Sequence, residues 1–98
     1  MNVDFAAREL DRLERDPVFD LDQSRDVVLA YRKRLQGIRS AVDGHDLAAL
    51  ASWRVVGLSG SSAGLVLVPL TNTTRMVNEL PNGIGSQRVR IVRLEMAA

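Results

Sequence analysis

The sequence predicts an α+β domain: two N-terminal helices packed on an antiparallel sheet of about four strands. Three observations carry this. Apolar residues recur at helical spacing through the first half of the chain. From Trp53 onward the pattern changes to short β-prone runs. Those runs are separated by brief turns rich in Gly, Asn, Ser and Thr. Helices segregated before strands, and strands joined by short turns, imply an α+β fold with a meander.

The elements follow in order. Val3 and Phe5 alternate enough for a short opening strand or a simple lead-in. Ala6, Leu10 and Leu13 share one face of a short helix that Pro17 bars from continuing. Asp22 or Ser24 caps the next helix. Its apolar positions Val28, Tyr31, Leu35, Ile38 and Val42 step 3, 4, 3, 4, and Gly44 is placed as the residue after its end. One or two more helical turns are expected over Asp46–Ala51. The strands are expected at Trp53–Leu58, Leu65–Leu70, Thr74–Leu80 and Gln87–Leu94. Turns are expected at Ser59–Gly64, Thr71–Thr73 and Pro81–Ser86.

Ninety-eight residues suit a single domain, 1–98, with 46% hydrophobic and 26% charged content. There is no cysteine, which excludes a disulfide framework and a thiolate metal site. No basic segment followed by an apolar run marks a signal peptide, and the run Leu65–Val68 is far too short to span a membrane. A cytoplasmic protein is expected, without membrane association. The formal net charge is +1, from 13 basic and 12 acidic residues. A protein that grips phosphates usually carries a clear basic excess, unless its charge is segregated on one face.

Several residues invite a chemical role. Arg88 and Arg90 share a strand face opposite Val89 and Ile91. They suit either a phosphate groove or the charged face of an edge strand. Arg25, Arg32 and Arg39 recur every seven residues along one line of the long helix, and Lys33 widens that basic surface. RNA contact and a solvated helix face are the two readings. His45 is the only histidine and follows Gly44 in a turn, with no second histidine to share a metal. Leu65-Val-Leu-Val-Pro-Leu70 is apolar on both faces, so both call for burial. The helices cover one. The other is covered within the monomer, by a partner chain or by a second copy, which makes Leu65, Leu67 and Pro69 candidate partner-binding residues. Pro69 favours an edge or a bulge.

The segment Leu58–Met76 resembles the centre of the RelE/HigB-like toxins of type II toxin–antitoxin systems, within the RelE/ParE superfamily. There the pattern runs roughly Leu-x-Gly-Asp-Arg-x-Gly-x-x-Ser-x-Arg-Val-Asn-x-x-Trp-Arg-Leu. Gly60, Gly64 and Arg75 match it; Ser62 and Pro69 stand at two arginine positions and Thr74 at the aromatic one. The opening Val3-Asp-Phe-Ala-x-x-Glu-Leu-x-x-Leu, the helix from Tyr31 to Val42, the stretch Leu47–Leu58 and the final Val89-Arg-Ile-Val are similar too. The resemblance implies a toxin that inhibits translation by metal-independent cleavage of ribosome-bound mRNA, with a cognate antitoxin as partner and no cofactor. Such chemistry activates a ribose 2′-hydroxyl and stabilises charge on the scissile phosphate. Arg75 would contact that phosphate and Glu95 would serve as base, with Arg32, Lys33, Arg39, Arg88 and Arg90 as RNA contacts and Tyr31 near the cleft. The HigB-like ending Asp-Tyr-His is here Arg93-Leu-Glu-Met-Ala-Ala. The alternative is a toxin-like protein without nuclease activity that binds an antitoxin or another host protein. A gyrase-directed ParE-like toxin is a third reading.

Overall fold

The computed structural model describes residues 1–49, 54–56 and 64–96. They form strand β1 (Asn2–Phe5), helices α1 (Arg8–Arg15), α2 (Arg25–Ser40) and α3 (Gly44–Ala48), then strands β2 (Arg54–Val56), β3 (Gly64–Pro69), β4 (Thr74–Leu80) and β5 (Arg88–Met96). A 3-10 turn, Gly83–Gly85, lies between β4 and β5. The class is α+β, with helices preceding a meander. The expected Ser59–Gly64 turn, with Gly60 and Ser62, falls almost wholly outside the described residues.

The sheet has five strands in the order β1-β5-β4-β3-β2. Strands β2 to β5 pair antiparallel, as the short turns require. The addition is β1, which lies parallel to β5 with Asn2 opposite Arg88 and Phe5 opposite Ile91, so the sheet is mixed. A parallel neighbour needs a long crossover, and the helices supply one between β1 and the meander.

Helix α1 stops where Pro17 demands, and Asp16 closes it by donating its N–H to the Arg12 carbonyl. Ser24 caps α2, its hydroxyl accepting from the Val27 N–H at 3.3 Å. Between the helices Leu21 and Asp22 both take positive φ (51° and 57°), a left-handed step that non-glycine residues seldom adopt. Val28, Tyr31, Leu35 and Ile38 are buried as their spacing predicts. Val42 is not: α2 ends at Ser40, and Val42 is 68% exposed. Gly44 therefore does not close α2 but opens α3. Asp43 takes over as cap, its side chain accepting from the His45 N–H at 2.9 Å.

The two faces of the sheet differ in kind. Val3, Phe5, Val66, Val68, Met76, Leu80, Val89, Ile91 and Leu94 meet the helices in one core with Leu10, Leu13, Tyr31, Leu35, Ile38 and Leu47. Asn78 also lies on this face, fully buried between its cross-strand neighbours Val66 and Ile91. Neither its side-chain oxygen nor its nitrogen finds a hydrogen-bond partner among the described residues. A buried amide left unpaired costs about 1–3 kcal/mol. Asn78→Val, apolar and suited to a strand, is therefore expected to raise stability by about 1–2 kcal/mol. Urea denaturation checks this, and a lower midpoint in the variant would show that the amide does have a partner.

Candidate functional site

The outer face of the sheet, turned away from the helices, gathers most of the residues that the sequence singled out. Alternation places Leu65, Leu67 and Pro69 of β3 there, since Val66, Val68 and Leu70 are the buried set. On β4 the outer positions are Arg75, Val77 and Glu79, across from Pro69, Leu67 and Leu65 in that order. Arg54 of β2 takes the register position opposite Leu67. Arg88 and Arg90 occupy this face on β5, with Asn2 and Asp4 beside them on β1.

A bulge decides the rest. Asn78 pairs with Ile91 but Val77 pairs with Arg93, so Val92 is skipped. Strict alternation from Arg88 and Arg90 would turn Arg93 and Glu95 toward the core. The extra residue reverses the phase and brings both onto the outer face with Arg88 and Arg90. Leu94 turns inward and packs against the core. The sequence carries a trace of this device: charged residues fall at 88, 90, 93 and 95, and the adjacent apolar pair Ile91-Val92 marks the slip. Arg93 is the functional candidate that alternation alone misses.

Arg75 and Glu95 are directly opposed across the strands. The Arg75 Nε–H donates to Glu95 Oε1 at 2.7 Å, and the Arg93 Nε–H donates to Oε2 of the same carboxylate at 3.2 Å. Arg75 first, and Arg93 second, hold the Glu95 carboxyl below the usual carboxylate range. Farther along, the Arg88 Nε lies 3.3 Å from the Asp4 carboxylate, and Arg90 stands opposite Glu79. Val77 is fully buried at the centre of the face, while Leu65, Leu67 and Pro69 are half-buried. The outer face thus has an apolar centre bordered by arginines and carboxylates.

Arg75, Glu95, Arg88 and Arg90 share this face but do not converge on one point. Seven residues separate Arg88 from Glu95 along β5, about 20 Å at strand rise. The helix residues lie on the other side of the sheet. The Arg32 guanidinium donates to the Leu13 and Asp16 carbonyls at 3.0 and 2.8 Å, closing the C-terminal end of α1. Arg39 binds the Glu14 carboxylate through two hydrogen bonds, 3.0 and 2.6 Å. Lys33 is exposed on α2. Tyr31 is fully buried, and its hydroxyl donates to the Leu10 carbonyl at 2.6 Å. Burial pushes its phenol up, with Glu14 and Asp11 adding to the shift, so it is neutral well beyond neutral pH. His45 is exposed at the start of α3, 3.5 Å from Asp43.

No family model, curated protein or solved structure matches the chain. Among the described residues no helix is long and apolar enough to cross a membrane.

Proposed function

We propose that this chain is a toxin-like protein of the RelE/HigB type that acts by binding a protein partner across the outer face of its sheet, without cutting RNA. The partner is a cognate antitoxin or another host protein, met in the cytoplasm. The observation that carries the reading is the state of Glu95. A general base works best with a pKa near the operating pH. Glu95 is held as an anion by Arg75 and Arg93, which lowers its affinity for a proton. The same two arginines are engaged by it. The half-buried Leu65, Leu67 and Pro69 form an apolar strip of the kind that protein partners cover. The resemblance of the central segment supports the toxin-like assignment, as does the sequence of elements from β1 through the helices to the meander.

A second reading, metal-independent cleavage of ribosome-bound mRNA, is favoured by one observation: Arg75, Arg88, Arg90 and Arg93 share a face. The deciding experiment adds the purified chain in large excess to ribosomes translating a defined mRNA. Intact message is expected. Ribosome-dependent cutting that disappears in Arg75→Ala overturns the binding reading in favour of the nuclease. Induction of the chain alone in a bacterial host gives a parallel answer, because the nuclease predicts growth arrest that Arg75→Ala relieves.

A further inference from the structure

The trio Arg75, Arg93 and Glu95 has the form of a ligand site already filled from within. We infer that Arg75 and Arg93 constitute a carboxylate-binding slot that Glu95 occupies in the free protein, and that an acidic side chain of the partner takes its place on binding. The inference rests on the reading of the outer face as a protein-binding surface and names the chemistry of the partner.

The geometry is that of two cations on one anion. Each oxygen of Glu95 receives one Nε–H, from Arg75 at 2.7 Å and from Arg93 at 3.2 Å. A guanidinium has five N–H donors, so most of the donor capacity at the slot is left over. Two guanidiniums against one carboxylate leave the slot with an excess positive charge that a second acid would complement. The slot is open to exchange, since the side chains of Arg75, Glu95 and Arg93 are 33%, 26% and 56% exposed. Ion pairs at this exposure are weak, so an incoming carboxylate displaces Glu95 at small cost.

Its surroundings favour an acidic protein segment over nucleic acid. The neighbouring outer positions that keep exposed surface are Pro69 and Leu67, which fit apolar side chains beside the acid. Single-stranded RNA is gripped largely by stacking of bases on aromatic rings. Among the described residues the outer face presents no aromatic side chain, Phe5 lying on the core face. The occupant the slot holds in this structure is itself a carboxylate.

The test uses the full chain and two probes at low salt, fluorescein-labelled hexaglutamate and a labelled hexauridylate, with binding read by fluorescence anisotropy. Glu95→Gln removes the internal occupant while keeping the shape of the side chain. Glu79→Gln makes the same change of charge on the same face, opposite Leu65 and Arg90, without touching Arg75. Glu95→Gln is expected to bind hexaglutamate about two- to fivefold more tightly than the unmodified protein, with Glu79→Gln gaining less. Adding Arg75→Ala to Glu95→Gln removes the gain. Equal gains for the two glutamine variants mean a general charge effect and overturn the slot. A gain confined to hexauridylate overturns the carboxylate assignment in favour of a phosphate site.

The unmodified protein gives a second readout that needs no variant to fold. On titration with hexaglutamate, the Arg75 and Arg93 Nε–H resonances are expected to shift ahead of those of Arg88 and Arg90. Uniform movement of all four overturns the slot. Ribosome-dependent RNA cutting would remove the binding reading but leaves these results intact, so the two failures are distinguishable.

Discussion

Tyr31→Ala is expected to destabilise the domain by about 3–5 kcal/mol, a large share of the total stability of a chain this size. Among the described residues Tyr31 is the largest fully buried side chain, and it sits where α2 meets α1. Its removal leaves a cavity in the core it shares with Leu10, Leu13 and Leu35 and takes away the hydroxyl's hydrogen bond to the Leu10 carbonyl. Tyr31→Phe separates the two contributions. It keeps the ring and loses only the hydroxyl's hydrogen bond, so about 1 kcal/mol is expected. The phenol also gives a pH signature. Its pKa is raised from the ordinary 10.0 by burial and by nearby Glu14 and Asp11. The folded state therefore holds the proton after the unfolded chain has released it, and stability is lost as pH rises past 10. Below that value the contribution is fully present. Urea midpoints at neutral and alkaline pH check all three statements, and Tyr31→Phe is expected to flatten the alkaline fall. A Tyr31→Phe variant of unchanged stability that lost activity would instead mark the hydroxyl as a working group, and would remove the purely structural role.

How much of this was legible in the sequence depended on how local each signal is. The 3, 4, 3 spacing from Val28 to Ile38 marks α2 because helical periodicity is a property of neighbours, and β4 lies at Thr74–Leu80, as its run predicts. Helix α2 nevertheless ends at Ser40, because the Ala41 N–H turns back to the Ile38 carbonyl and Val42 and Asp43 build the cap of α3. The pairing of β1 with β5 joins Phe5 to Ile91 across most of the chain, and nothing in either run specifies it. The helix arginines show the same limit. Their seven-residue repeat reads as a solvated basic line, yet Arg32 and Arg39 turn onto α1, because the partners Leu13, Glu14 and Asp16 are brought in by packing. On the outer face Arg88 and Arg90 were readable from alternation, whereas Arg93 and Glu95 join them only through the bulge at Val92. That slip turns a strand of ordinary amphipathic pattern into one that carries four charged residues on a single face, and so creates the slot.

Two glycines separate steric need from helix economy. Gly44→Ala is expected to lower stability by about 3 kcal/mol, whereas Gly37→Ala is expected to raise it by about 0.5–1 kcal/mol. Gly37 lies inside α2, exposed, with open space where a Cβ would go. Alanine there only reduces the freedom of the unfolded chain and improves helix propensity. Gly44 is buried at the first turn of α3, and its N–H donates to the Ser86 carbonyl at 3.0 Å. A Cβ would overlap the backbone carbonyl of Ile84 and reach within 2.9 Å of Leu80 Cδ1. The Leu80 side chain can rotate away, but the backbone of Ile84 cannot without moving the 3-10 turn. That turn is held by Gly83 at φ 76° and leads through Ser86, whose hydroxyl donates to the Arg88 carbonyl at 2.6 Å, directly into β5. The strain therefore falls on the start of β5, where Arg88 meets Asp4, while Arg93 and Glu95 lie at the far end of the same strand with Arg75 beside them on β4. Urea midpoints of the two alanine variants check the opposite signs. If Gly44→Ala melted like the unmodified protein, the 3-10 turn would have to yield freely, and close contact between α3 and that turn would no longer explain how β5 is seated.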